Sequence, residues 1–234
     1  MSINNYRNTF WMTTEISPFT SVIFDMDGVL IDSEPLWKIA MEEVFRSVGS
    51  KLTKQEFQKT VGLRLDEVVV FWHAHEGWKD VTPHEVETQI VLRMVELIKE
   101  NAAPLPGVVQ TLQYLQEKKV KVGLATSSYE ILISTVLQAL DIERYFDVCV
   151  SAEHEEFGKP HPAVYLTAAH RLNVPATECL VVEDSFNGLV SGKAARMKVA
   201  CIPEKTHHPD HRLAAADYMF DTMSDLLESL KSRI

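Results

Sequence analysis

Two carboxylates, Asp25 and Asp27, stand one residue apart at the end of the run Ser21-Val22-Ile23-Phe24, and Gly28 follows them. A strand alternates its side chains between faces, so both carboxylates would project the same way as the chain leaves the sheet. The carboxyl end of a parallel strand is where open α/β sheets place their ligands. Held this close, two carboxylates repel each other unless a cation or a shared proton relieves them. The plain alternative is a polar strand end with an Asx turn, because Asp and Gly are common turn residues.

Three later strand ends carry further polar residues in order. Thr126, Ser127 and Ser128 close a run from Lys121, where a hydroxyl and freed backbone N–H groups could receive a phosphate oxygen, or simply cap a helix. In Gly158-Lys159-Pro160-His161-Pro162, a glycine and two prolines fix a lone lysine that would otherwise be a solvated loop charge. Glu183-Asp184-Ser185 ends the apolar run Cys179-Leu180-Val181-Val182, as an acidic site or as an N-cap beside a surface acid. Each string alone has an ordinary explanation. Asp-Xaa-Asp, then Thr, then Lys, then Glu-Asp, each at a strand end, is harder to dismiss.

The elements that must hold these residues follow from hydrophobic period and punctuation. Strands are expected at 21–26, 121–126, 147–150, 179–184 and 199–202, with a weaker one at 218–220. Helices are expected at 108–118, 130–140, 162–172, 187–196 and 223–231. This alternation implies βαβ crossovers and a doubly wound parallel sheet. Between the first strand and residue 102 the pattern is helical throughout. A helix at 36–48 is closed by Gly49, Thr53 caps a short one carrying Phe57, another carries Leu65, Val68, Val69 and Trp72, and a long amphipathic helix runs from about 83 to 101. The expected organisation is an N-terminal extension at 1–19, an α/β core of 20–35 and 103–234, and an inserted helical cap at 36–102.

The 234 residues are 46% hydrophobic and 24% charged, typical of a globular protein with a core. A formal charge of −10 argues against non-specific binding to nucleic acid or anionic membranes. No apolar run has signal-peptide or membrane-spanning length. The three cysteines form no zinc or redox spacing, so a reducing cytoplasm is the expected location. Nothing demands more than a monomer.

The ordered set of motifs resembles the haloacid dehalogenase superfamily of phosphotransferases, over nearly the whole chain from residue 21 to about 222. The strings that carry the likeness are Phe24-Asp25-Met26-Asp27-Gly28-Val29-Leu30-Ile31-Asp32-Ser33, Gly158-Lys159-Pro160-His161-Pro162 and Val182-Glu183-Asp184-Ser185. Within it the chain is similar to the subgroup of β-phosphoglucomutase and small sugar-phosphate phosphatases. Asp32-Ser33-Glu34-Pro35-Leu36-Trp37 and Gly62-Leu63-Arg64 carry a closer similarity to bacterial 2-deoxyglucose-6-phosphate and hexitol phosphatases. One departure is Ala195-Arg196-Met197, where that family usually has Gly before Met. A packing consequence is expected there, remote from the chemistry.

The resemblance implies a role for each matching residue. Asp25 attacks phosphorus and carries the phosphoryl group. Asp27 protonates the departing sugar oxygen and then activates water. Mg2+ is held by Asp25, the Asp27 carbonyl and Asp184, with Glu183 as a further ligand or as an acceptor behind them. Thr126 and Ser127 hold the phosphoryl group, and Lys159 neutralises charge. The substrate is then a small phosphomonoester: a hexose 6-phosphate, 2-deoxyglucose 6-phosphate or hexitol phosphate.

In the cap, Trp37 could stack on a sugar or pack at the hinge, and Arg64 could touch substrate hydroxyls or phosphate. His73, His75, His207, His208 and His211 read as surface or packing residues. A β-phosphoglucomutase-type mutase would use the same core, but Trp37 stands where a histidine is expected. A dehalogenase would not need Asp27, and a phosphonate hydrolase would need a Schiff-base lysine in the cap. A non-catalytic phospho-ligand sensor would not need the full catalytic set.

Overall fold

The computed structural model describes residues 18–52, 56, 60, 63–203 and 210–232. Its centre is a six-stranded sheet in the order β3-β2-β1-β4-β5-β6. The strands are β1 (Ser21–Phe24), β2 (Lys121–Thr126), β3 (Val148–Ser151), β4 (Cys179–Glu183), β5 (Lys198–Cys201) and β6 (Tyr218–Met219), and every pairing is parallel. β1 is central, and all four of its residues are buried, as a strand covered on both faces requires. Alternation along it divides the core. Val22 and Phe24 join one apolar cluster, and Ile23 joins the other.

The first face is covered by α4 (Val108–Glu117), α5 (Glu130–Ala139) and α8 (Met223–Lys231), through Leu112, Leu115, Leu132, Val136, Leu226 and Leu230. The second is covered by α6 (Ala163–Leu172) and α7 (Phe186–Ala194), through Val164, Tyr165, Ala168 and Leu189. Helices on both faces of a parallel sheet make the doubly wound architecture that the alternating pattern predicts.

Between β1 and β2 the chain forms the helical cap: α1 (Glu34–Ser47), α2 (Leu65–Glu76) and α3 (Pro83–Asn101). α1 begins at Glu34, ahead of the expected 36, because Pro35 fits a first helical turn that needs no N–H. Thr82 caps α3: its hydroxyl accepts from the Glu85 amide at 3.2 Å, and the Glu85 carboxylate accepts from the Thr82 amide at 2.7 Å. α3 packs on α1 and α2 within the cap and on α5 of the core. The two connectors run side by side, with Ile31 bridged to Pro104 and the Leu105 amide donating to the Leu30 carbonyl at 2.9 Å.

Arg196 is the residue before Met in the departing string, and its φ is +64°. It ends the turn after α7, where its amide donates to the Lys193 carbonyl. Left-handed backbone costs a side-chain-bearing residue on the order of 1 kcal/mol, which glycine avoids. The departure is therefore a local strain, far from the strand ends that carry chemistry.

His75 stacks on Phe71, His73 meets Trp78 edge-on, and His211 is exposed. Thr53, Phe57, Gly62, His207 and His208 lie outside the described residues, as does most of the expected N-terminal extension. No helix among the described residues is long and apolar enough to cross a membrane.

Candidate active site

The parallel register brings the polar strand ends together. Phe24 is level with Leu124 on one side and Val182 on the other, so Asp25 leaves β1 beside Ala125 and Glu183. The Asp25 amide still donates to the Val182 carbonyl at 3.0 Å, which holds the residue against the sheet. Gly28 then turns the chain with φ +72°, and a Cβ on it would collide with the Asp184 carboxylate. Only glycine serves both needs.

Lys159 ties three strand ends together. Its Nζ donates to Asp25 Oδ1 at 2.9 Å, to Glu183 Oε1 at 2.7 Å and to the Ala125 carbonyl at 3.1 Å. Tyr165, which sequence reading did not single out, donates its buried hydroxyl to the same Glu183 oxygen at 2.7 Å. The Lys159 ammonium also lies 4.7 Å from the centre of the Tyr165 ring. A tyrosine in the first turn of a helix looks like packing from sequence, and nothing marks it until the fold places it. The second Glu183 oxygen accepts from the amides of Asp184 and Ser185 and from the Ser185 hydroxyl, at 3.0, 3.1 and 3.0 Å. Five donors thus meet the fully buried Glu183 carboxylate.

Charge follows from this packing. Burial pushes the Asp25 carboxyl up to about 7, with Lys159 pulling downward and Glu183 and Asp27 adding to the rise. Asp184 is also raised well above its ordinary value by burial and then by Glu183 and Asp25. Burial would raise Glu183 too, but the charge and hydrogen bond of Lys159, with those of Tyr165 and Ser185, hold it below its ordinary range. Burial disfavours the Lys159 ammonium, yet Asp25 and Glu183 outweigh that and keep it charged.

One oxygen from each of Asp25, Glu183 and Asp184 lies within 4.8 Å of the others. Fully ionised, the three carboxylates and Lys159 leave two negative charges uncompensated, the charge of one divalent cation. An all-oxygen donor set of this kind suits a hard ion such as Mg2+.

Asp27 has a separate set of partners. Its Oδ1 accepts from the Trp37 indole N–H at 3.2 Å and from the Ser33 hydroxyl, and its Oδ2 accepts from the Ser128 hydroxyl at 2.7 Å. Trp37, half-buried at the start of α1, therefore spends its polar edge on Asp27 while its ring packs on the core. Ser33 and Ser128 sit inside the strings that mark the site; Ser33 meets Asp27 from six residues away, whereas Ser128 meets it from 101 and has no local signal. Thr126 is buried at the end of β2, and its hydroxyl accepts from the Ser128 amide at 3.2 Å, which orders the turn containing Ser127. Arg64 lies away from this cluster, on the seam between cap and core, paired with Asp66 at 2.7 Å.

A buried carboxylate at the end of β1 with Asp27 beyond it, a buried lysine from the loop after β3 and an acidic pair at the end of β4 are the setting in which comparison with known proteins is made. The family model for the haloacid dehalogenase-like hydrolases matches residues 22–202. The chain belongs to that family. Hexitol phosphatase B of Escherichia coli (strain K12) is 38% identical over 207 residues, covering 88% of this chain and 93% of that protein. The phosphorylated carbohydrates phosphatase of Thermotoga maritima is 36% identical over 182 residues, covering 75% and 81%. Among solved structures, CbbY from Rhodobacter sphaeroides in complex with phosphate superposes with a TM-score of 0.83 at 24% identity, covering 91% of this chain and 99% of that one. β-Phosphoglucomutase from Clostridium difficile superposes with a TM-score of 0.79 at 24% identity, covering 92% and 96%. At that identity the two structures speak for the fold alone. As a haloacid dehalogenase-like hydrolase, the chain is an enzyme that cleaves phosphoric monoesters.

Proposed function

We infer that this chain is a magnesium-dependent phosphatase of small sugar or sugar-alcohol phosphates that passes the phosphoryl group through Asp25. The observation that carries the reading is the Asp25 carboxylate, buried at the end of the central strand and held 2.9 Å from Lys159. An anionic nucleophile can approach an anionic phosphate only where such a cation offsets the repulsion, and positioning with electrostatics accounts for most phosphoryl-transfer catalysis.

In the first step an Asp25 oxygen bonds to phosphorus and the bond from phosphorus to the sugar oxygen breaks. Asp27 gives that oxygen its proton. In the second step Asp27 takes a proton from water, the water oxygen bonds to phosphorus, and Asp25 leaves as the free carboxylate. Ser33, Trp37 and Ser128 keep Asp27 facing the leaving group through both steps. Thr126 and the Ser127 backbone receive phosphoryl oxygens, and Lys159 neutralises their charge. Glu183 acts through Lys159, whose position it fixes together with Tyr165. When bound, Mg2+ supplies further neutralisation of the phosphoryl oxygens, and Asp25, Asp184 and the Asp27 carbonyl are the groups that would hold it.

The names of the two relatives, a hexitol phosphatase and a phosphorylated carbohydrates phosphatase, support a polyhydroxylated leaving group. A sugar phosphomutase of the β-phosphoglucomutase type would use the same core residues and is the second reading. A phosphate-release screen decides between them. Hexitol phosphates, 2-deoxyglucose 6-phosphate, other hexose phosphates and nucleotides are tested with and without Mg2+, and products are identified. The phosphatase reading expects phosphate from sugar or hexitol phosphates only with Mg2+. Interconversion of sugar phosphates without phosphate release would make the chain a mutase, and no turnover on any compound would make it a sensor.

A further inference from the structure

The Arg64 guanidinium makes four hydrogen bonds, and none goes to a residue of the cluster around Asp25. Its Nε and Nη2 grip Asp66 of the same cap helix at 3.1 and 2.7 Å. Its Nη1 crosses to the core and donates to the carbonyls of Ala152 and Glu155, at 3.4 and 3.3 Å. The aliphatic part of the side chain lies flat on the next part of that core segment. A Cβ on Gly158 would sit 2.5 Å from Arg64 Cδ and 2.7 Å from Cγ, a contact that only glycine permits. Gly158 immediately precedes Lys159, and its carbonyl accepts from the His161 amide, so the glycine and the lysine share one short turn.

From these contacts the geometry points to Arg64 as a clasp: a positioning residue through which the cap holds the 152–158 segment, and thereby Lys159, in its working place. Asp66 orients the guanidinium and neutralises it, and the two carbonyls and Gly158 receive it. The same contacts argue against Arg64 as a receptor for a second anionic group on the substrate, because four of the five guanidinium donors are engaged and its charge is already paired. The inference rests on the phosphatase reading for its kinetic consequences, but the clasp itself is a contact that can be measured without substrate.

The test uses the full-length enzyme with Mg2+ and two single variants, Arg64→Ala and Gly158→Ala, with their double variant. By hydrogen exchange without substrate, amides of residues 152–158 should exchange about tenfold faster in Arg64→Ala, the equivalent of losing one charge-assisted contact. Protection equal to the wild type overturns the clasp, whatever the activity. By steady-state kinetics, Arg64→Ala should lower kcat more than KM, because Thr126 and Ser127 still bind phosphate while Lys159 is displaced. The loss should be about tenfold and similar for a hexitol phosphate, p-nitrophenyl phosphate and fructose 1,6-bisphosphate. A loss confined to the bisphosphate would make Arg64 an anion receptor instead. Gly158→Ala should cost a similar factor in the wild type and little more once Arg64 is gone. If it costs the full factor in both backgrounds, the contact does not couple cap to lysine and the proposal fails. Should Arg64→Ala not fold, Gly158→Ala carries the exchange measurement alone, with the same two outcomes. Absence of turnover in the wild type would remove the phosphatase reading and leave the exchange result to judge the clasp.

Discussion

The core cluster and the seam between cap and core are both built of ion pairs and hydrogen bonds, but they are built to different ends. In the core, Lys159 and its partners Asp25 and Glu183 keep 5%, 10% and 0% of their side-chain surface. On the seam, Arg64 and Asp66 keep 19% and 38%. A buried pair is weakly screened and strongly penalised when broken, whereas a half-exposed one is worth little and softens with salt. The core is thus a fixed charge template, and the ion pair on the seam is the more accessible to solvent. A part-buried hydrogen bond from the Tyr129 hydroxyl to Glu87 also joins cap and core.

The sharpest way to break this contrast is to remove the core cation. Lys159→Met leaves Asp25 and Glu183 buried without their partner and should cost about 3–5 kcal/mol in a denaturant titration. It should also depress every substrate alike. Asp66→Ala on the seam should cost no more than about 1 kcal/mol, and less at high salt. Equal costs for the two variants would remove the distinction between template and seam.

Adding the cation sharpens it. With Asp25 pushed up to about 7, the metal-free fold binds protons that the unfolded chain releases. That contribution is fully present below the ordinary carboxyl value, about 3.8, and is lost as the pH rises through about 7. Mg2+ requires the ionised carboxylates, so its gain in Tm should grow between about pH 5.5 and pH 8. At a concentration one hundred times its Kd the ion adds about 2.7 kcal/mol. Asp184→Asn should remove most of that gain. A gain independent of pH would place the ion elsewhere.

Trp37 belongs to the cap by chain position and to the core by contact, and so tests the border. Trp37→Phe keeps an aromatic ring, though a smaller one, and deletes the N–H that meets Asp27. We expect kcat on a hexitol phosphate to fall about tenfold, the equivalent of one hydrogen bond to a charged group. The loss should be smaller on p-nitrophenyl phosphate, whose leaving group needs little protonation. An equal loss on both would mean that Trp37 does not act through Asp27.

Much of this was legible in the chain because it is written locally. Asp25, Lys159, Glu183 and Asp184 each end a strand or stand beside a glycine or proline, and strand β2 and helix α8 fall where periodicity puts them. What stayed hidden crosses the fold. Tyr165 meets Glu183 from 18 residues away, and Ser128 meets Asp27 from 101. Arg64 reads as a residue that could touch substrate hydroxyls or phosphate, and the structure instead puts Asp66 and two core carbonyls around it. The departure at Arg196 was legible as a departure, but not as a residue at φ +64°. Arg196→Gly should raise stability by about 0.5–1 kcal/mol and leave kcat/KM unchanged, the smallest effect expected here and one confined to the scaffold.

The central claim is that Asp25 carries the phosphoryl group. Turnover of a hexitol phosphate with Mg2+ is quenched in acid within the first cycle, and the protein is digested and mapped by mass spectrometry. The account predicts one added phosphoryl group on the peptide containing Asp25. It should accumulate further in Asp27→Asn on an activated aryl phosphate and be absent in Asp25→Asn, whose turnover should fall by on the order of 10⁴-fold or more. Phosphate release at the wild-type rate from Asp25→Asn, or rapid turnover with no phosphoryl group on that peptide at any quench time, would contradict it.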